Sequence, residues 1–323
     1  MRCTVEKAKI DRFNTLMPCV FIIVSCVWAT LIFGPMDARN LLWSNAVIAL
    51  AACACVLTTL CLNGAGTLSG GTMAFAAGIG SATWLAYTWQ RHVKSTRPGG
   101  LRPTHLQWHR RHWPRLRGVG LLLLPLAAVP AGLTAALWSE TGGRTPWAVG
   151  LALLSSAAVT LLYAGLPGER GVRHALRRLP GIKMVWIAGA WATITALWPL
   201  WWASGAGTTL PTFTAELWAE RFLVITALTL PFDLRDAQWD PAGMRTWPQL
   251  LGPQATRILA VVMVLSAACL RWTVMPHPVV LVGPATMAVA VARASPHRTI
   301  GYYGLLDGLL ILDAVVLVMF GAG

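Results

Sequence analysis

This chain predicts an all-α bundle of membrane-crossing helices, and three observations carry that expectation. Of its 323 residues, 56% are hydrophobic and only 12% are charged, about half the charge of an ordinary soluble domain. The apolar residues run in ten blocks, at roughly 16–34, 42–63, 71–90, 118–138, 146–166, 182–202, 215–232, 255–274, 278–293 and 303–321. Each reaches or approaches the ~20 residues that a helical crossing needs. The charge is also lopsided: 26 Lys and Arg stand against 12 Asp and Glu, and the basic residues sit in the connections between blocks.

Taken in order, residues 1–41 form an N-terminal extension whose apolar segment, 16–34, is an accessory helix. If it crossed fully, Arg2, Lys7, Lys9 and Arg12 would lie on the side that the positive-inside rule assigns to few cations. The segment therefore stops short of crossing, or is an extra helix, or translation begins at Met36. No small-residue cleavage site follows it, so a signal peptide is not expected. Residues 42–323 make the main domain. The connection 91–117 carries eight Lys or Arg, four His and no acid, and 169–183 carries Arg170, Arg173, Arg177 and Arg178. The connection 233–257 has Arg235, Arg245 and Arg257, and the last has Arg293, His297 and Arg298. Two crossings separate each from the next, so all four share one face, which the rule makes cytoplasmic. The opposite connections, around 139–145, 203–214 and 275–277, are short and nearly uncharged. The expected localisation is a multi-pass integral membrane protein.

This pattern excludes other classes. A charge excess alone reports electrostatics, and here topology accounts for it, so nucleic acid is not an expected partner. Cys19, Cys26, Cys53, Cys55, Cys61 and Cys269 lie within apolar blocks without zinc spacing and read as small buried side chains rather than disulfides.

Against this basic background stands one acidic island. Asp233, Asp236 and Asp240 are three of only twelve acids and fall within eight residues. Spacings of three and four put them on one helix face, where they repel unless a cation or a basic ligand sits among them. The surrounding segment reads Asp233-Leu-Arg-Asp236-Ala-Gln-Trp-Asp240-Pro-Ala-Gly243-Met-Arg245-Thr246-Trp-Pro-Gln-Leu-Leu-Gly252. It resembles the second aspartate-rich motif of the UbiA family of intramembrane prenyltransferases at Asp233, Arg235, Asp236, Asp240, Gly243, Thr246 and Gly252.

The resemblance implies a bundle of nine core transmembrane helices over 42–323, beginning at Ser44-Asn45-Ala46, with 16–34 as the extra segment. It implies transfer of a prenyl group from an isoprenoid diphosphate donor to a hydrophobic acceptor in the membrane. Asp236 and Asp240 would hold Mg²⁺ with Asp233 assisting, which suits a hard cation that shares carboxylate and phosphate oxygens. Lys183 falls where the family has the lysine of a Tyr-x-x-x-Lys element, although Leu179 replaces the tyrosine; with Asp236 and Asp240 it completes the implied catalytic set. The family's first aspartate motif should fall at Tyr87–Ser95, but Tyr87, Thr88, Arg91 and Ser95 occupy its motif places. Diphosphate binding is therefore expected from Arg91, Lys94, Arg235 and Arg245, since guanidinium matches phosphate geometry. A terpene cyclase on the same scaffold, or a non-catalytic lipid-binding relative, remains an alternative.

Several residues carry weaker expectations. Asn45, Tyr87, Trp186, Trp191 and Asp307 are candidate cavity residues. The two tryptophans could steady a carbocation by cation–π attraction or belong to an interfacial belt, as Trp201 and Trp202 do. Asp307 and Asp313, six apart, point in different directions and do not make one site; Asp307, near Tyr302 and Tyr303, is the better candidate. His105, His109 and His112 have helical spacing, but Arg110, Arg111, Arg115 and Arg117 crowd them. An amphipathic surface helix, with Trp108 and Trp113 at the headgroups, explains them better than a metal site.

Overall fold

The computed structural model describes residues 38–63, 69–96, 101, 103–140, 147–163, 182–205, 210–237, 246–295, 297 and 300–320. The expected accessory segment 16–34, the start at Met36, Leu179 of the lysine element, Asp240, Gly243 and Arg245 lie outside them. The protein is all-helical, with no strand among the described residues. The helices are α1 (Ala38–Trp43), α2 (Ala46–Leu62), α3 (Gly70–Ser95), α4 (Pro103–Glu140) and α5 (Trp147–Leu162). They continue as α6 (Lys183–Ala203), α7 (Thr214–Asp236), α8 (Trp247–Val274), α9 (Val282–Ala292, entered through a 3₁₀ turn at Pro278–Leu281) and α10 (Ile300–Phe320).

Three of these, α4, α6 and α8, are long and apolar enough to cross a membrane. Their exposed surface is apolar where a soluble helix would be polar: Leu121, Leu122 and Leu124 on α4, and Ile258, Val262 and Leu265 on α8, are all exposed. The connection expected at 91–117 is largely helical. The α3 helix continues to Ser95, and α4 begins fifteen residues before its apolar stretch, so the histidines and arginines of that region ride on α4.

Local chemistry sets the helix ends. Ser69 caps α3 by accepting from the Thr72 amide at 3.1 Å, satisfying one of the donors that a helix start leaves open. Two of the seven motif matches have structural duties. The Thr246 amide donates to Gln249 Oε1 at 3.0 Å at the start of α8. Gly252 has φ +80° and kinks that helix, a conformation that side chains with a Cβ disfavour. A π turn at Thr193–Leu197 interrupts α6 for a legible reason. Pro199 has no N–H for the Thr195 carbonyl, and the Thr59 hydroxyl donates to that carbonyl instead, at 2.8 Å.

Packing joins α3 along α4, α7 along α8, and α2 against both α3 and α10; α10 runs parallel to α2, since Gly304 meets Leu42 at one end and Leu317 clusters with Leu62 at the other. The α2–α3 contact is close at Gly80, where an added Cβ would sit 2.2 Å from Cys53 Sγ and 2.9 Å from the Ala49 carbonyl oxygen. Small residues let helix backbones approach in this way. Cys53, Cys55, Cys61 and Cys269 are free thiols.

Candidate functional site

One cavity of about 870 Å³ opens among α2, α3, α5, α6, α7 and α10, within the ~300–1,000 Å³ typical of small-molecule sites. Its charged end gathers Arg91, Lys94, Lys183, Arg235, Asp233 and Asp236. Its apolar depth is walled by Ile79, Trp191, Ile194, Trp198, Ile225 and Leu228. The α3 C-terminal turn, the α6 start and the α7 end therefore meet at one end of the cavity.

The acid island is not left to repel. Lys183 donates to Asp233 Oδ1 across the α6–α7 contact, with Asp233 almost wholly buried. Arg235 grips Asp236 with two hydrogen bonds, Nε to Oδ1 at 2.7 Å and Nη2 to Oδ2 at 2.9 Å, the bidentate geometry that makes guanidinium–carboxylate pairs strong. The cations that lie among these two carboxylates are thus the chain's own.

Arg91 stands apart. Its Nη1 donates to the main-chain carbonyl oxygens of Trp43 and, at 3.5 Å, Leu42. Among the described residues no carboxylate lies within ion-pair distance of it. The carbonyls that hold it belong to the turn between α1 and α2, shaped by Asn45, which adopts φ +66°, a left-handed conformation that Asn tolerates better than most residues. Asn45 Nδ2 donates to Thr88 Oγ1 at 3.0 Å. Asn45 is buried and does not line the cavity; its part is to position the Arg91 acceptors.

The other expected cavity residues, Tyr87, Trp186, Trp191 and Asp307, do line it. Asp307 lies within electrostatic reach of Arg91 and Arg235. Lys94 sits 5.8 Å from the Tyr163 ring centroid. His105 also lines the cavity, stacked on Trp43 with centroids 5.0 Å apart, a placement that its spacing with His109 and His112 did not reveal. No group of three His, Cys, Asp or Glu side chains among the described residues converges as a cation site.

A second polar constellation escaped the sequence reading. Arg271 of α8 is fully buried and donates Nε to Glu220 Oε1 at 3.0 Å, and Nη1 to both oxygens of Asp313 at 2.7 and 2.9 Å. Arg221 donates Nη2 to the Cys55 carbonyl at 3.3 Å and to Thr59 Oγ1 at 3.4 Å. Two cations and two carboxylates thus balance inside the bundle, tying α2, α7, α8 and α10. Charged residues within apolar blocks were the available signal; Asp313 was noticed, while Glu220, Arg221 and Arg271 were passed over. Asp313 does point away from Asp307, as their spacing indicated.

No protein-family model, curated protein or solved structure matches this chain.

Proposed function

We propose that this protein transfers an isoprenoid group from its diphosphate to a hydrophobic acceptor within a membrane, on a nine-helix core over 42–323 whose charged pole faces the cytoplasm. The observation that carries the proposal is the amphipathic cavity, with a densely charged end and an aromatic and aliphatic depth in one enclosure. Such a space suits a ligand with a polyanionic head and an apolar tail.

In the proposed reaction the C1–O bond of the allylic donor breaks and its electron pair leaves with the diphosphate. The cations at the charged end stabilise that leaving group, and the aromatic faces of Trp186, Trp191 and Tyr87 stabilise the allylic cation. The acceptor then supplies the electron pair for the new bond at C1 and loses a proton. Magnesium enters the proposal through Asp236 and Asp240, with Asp233 in support; it would neutralise charge on the diphosphate. Among the described residues the fit is poor, because Arg235 must release Asp236 and Lys183 must release Asp233 before either faces a cation.

That same pairing favours a second reading, a carrier that binds an isoprenoid diphosphate without cleaving it. Pyrophosphate release separates the two. Purified protein with Mg²⁺, farnesyl or geranylgeranyl diphosphate and a panel of aromatic and lipid acceptors should release pyrophosphate, and Asp236→Ala should reduce the rate by at least ~100-fold, the loss of a major electrostatic contribution. A terpene cyclase would release pyrophosphate without any acceptor. Absence of release under every acceptor, with ligand binding unchanged in Asp236→Ala, overturns the enzymatic reading.

A further inference from the structure

We infer that the cavity holds its diphosphate directly on protein cations, with Arg91 as the anchor, and that this binding needs no divalent metal; the inference rests on the diphosphate reading above. Arg91 lines the cavity, and among the described residues its hydrogen bonds go only to neutral main-chain carbonyls. These carbonyls fix the guanidinium through Nη1, while its Nε and Nη2 donate to no described residue. A fixed guanidinium with a free edge matches two phosphate oxygens at once.

The neighbourhood points the same way. Lys94, one helical turn on from Arg91, lines the same space, so two cations of α3 face it from one helix. The two described carboxylates of the acid island are each held by a cation, Asp233 by Lys183 and Asp236 by Arg235. Each pair is neutral as a unit, so neither adds a net negative charge against an incoming polyanion. The remaining lining carboxylate, Asp307, is a single group within reach of Arg91 and Arg235. Four cations and three carboxylates thus line the described cavity, and among the described residues no carboxylate lies at ion-pair distance from Arg91. A polyanion supplies the missing counter-charge.

The test uses the full-length protein in neutral phosphatidylcholine nanodiscs, titrated calorimetrically with geranylgeranyl diphosphate, once in excess EDTA and once in excess Mg²⁺. Comparable affinity in both is expected, with inorganic pyrophosphate competing in EDTA. Arg91→Gln should weaken binding in EDTA by roughly 10- to 100-fold, the loss of charge-assisted hydrogen bonds. Arg91→Lys, which keeps the charge and loses the fork, should fall between. Because Arg91 also braces the end of α1, Lys94→Gln serves as the second variant and should weaken binding as well, with the thermal midpoint of each variant measured so that loss of fold is told from loss of binding. Binding seen only with Mg²⁺ overturns this inference and leaves the diphosphate reading standing. Binding in neither condition overturns both. Binding in EDTA that is indifferent to pyrophosphate, or to both Arg91→Gln and Lys94→Gln, shows that the tail alone is recognised and also overturns the inference.

Discussion

Replacing Asp313 with Asn keeps the side chain's shape and removes its charge, so it isolates the electrostatic share of the buried network. In the native protein Glu220, Arg221, Arg271 and Asp313 are each at most 1% exposed, and their formal charges cancel. Asp313→Asn leaves one uncompensated positive charge beside Arg271, with little water to solvate it. Removing one partner of a buried pair costs about 3–5 kcal/mol. A neutral hydrogen bond between membrane helices averages only about 0.6 kcal/mol, so the measured size tells which interaction is present. Arg271→Gln should cost a similar amount by stranding a carboxylate. The double variant restores neutrality, keeps a side-chain hydrogen bond within reach and leaves Glu220 beside Arg221, 3.8 Å apart. It should be more stable than the summed singles predict by at least about 1 kcal/mol. Equilibrium unfolding in mixed micelles, followed by far-ultraviolet circular dichroism, measures all four species. A loss below about 0.5 kcal/mol for Asp313→Asn, the level of an ordinary surface change, or strict additivity in the double variant, would refute the charge-balance argument.

Three further predictions concern separate sites. Gly283→Ala would place a Cβ 1.9 Å from Asp313 Oδ1, so it should destabilise by about 1–3 kcal/mol in the same assay, and an Asp313→Ala background should restore only part, because the residue 313 Cβ still lies 2.9 Å from the new methyl group. Gly80→Ala should cost about as much by overpacking the α2–α3 contact, and Cys53→Ala should restore only part, because the Ala49 carbonyl oxygen still obstructs the new methyl group. Arg235→Gln frees Asp236 from its bidentate partner; if Asp236 takes magnesium during turnover, pyrophosphate release should reach half its maximum at lower Mg²⁺ than in the native protein, and an unchanged or higher requirement counts against that role.

Much of the site's raw material was legible in the chain. The apolar blocks forced helices, since a backbone in lipid must satisfy its hydrogen bonds internally. Arg91, Lys183 and Asp236 stood out as charges beside apolar blocks, and the structure brings them to one cavity. Of the motif matches, Gly252 kinks α8 and Thr246 stands at its start, where its amide is capped by the Gln249 side chain. Other features were not legible. Helical spacing shows that Asp233 and Asp236 share a face but says nothing about which side chain on another helix meets them, so the Lys183–Asp233 pair could not be read. Arg271, Glu220 and Asp313 lie on three helices far apart in sequence, and their mutual neutralisation follows only from how those helices pack. Asn45 looked like a cavity residue by position, yet it is buried with its side chain bonded to Thr88, beside the Leu42 and Trp43 carbonyls that accept from Arg91. The sequence by itself determined that the chain is helical and where its apolar blocks lie, but not where the helices end, since α3, α4 and α8 all run past their apolar blocks; periodicity and solvent preference are local properties. The tertiary structure decided which charge answers which, and among the described residues it left Arg91 lining the cavity with no carboxylate at ion-pair distance, because counter-ions are chosen by contact across helices.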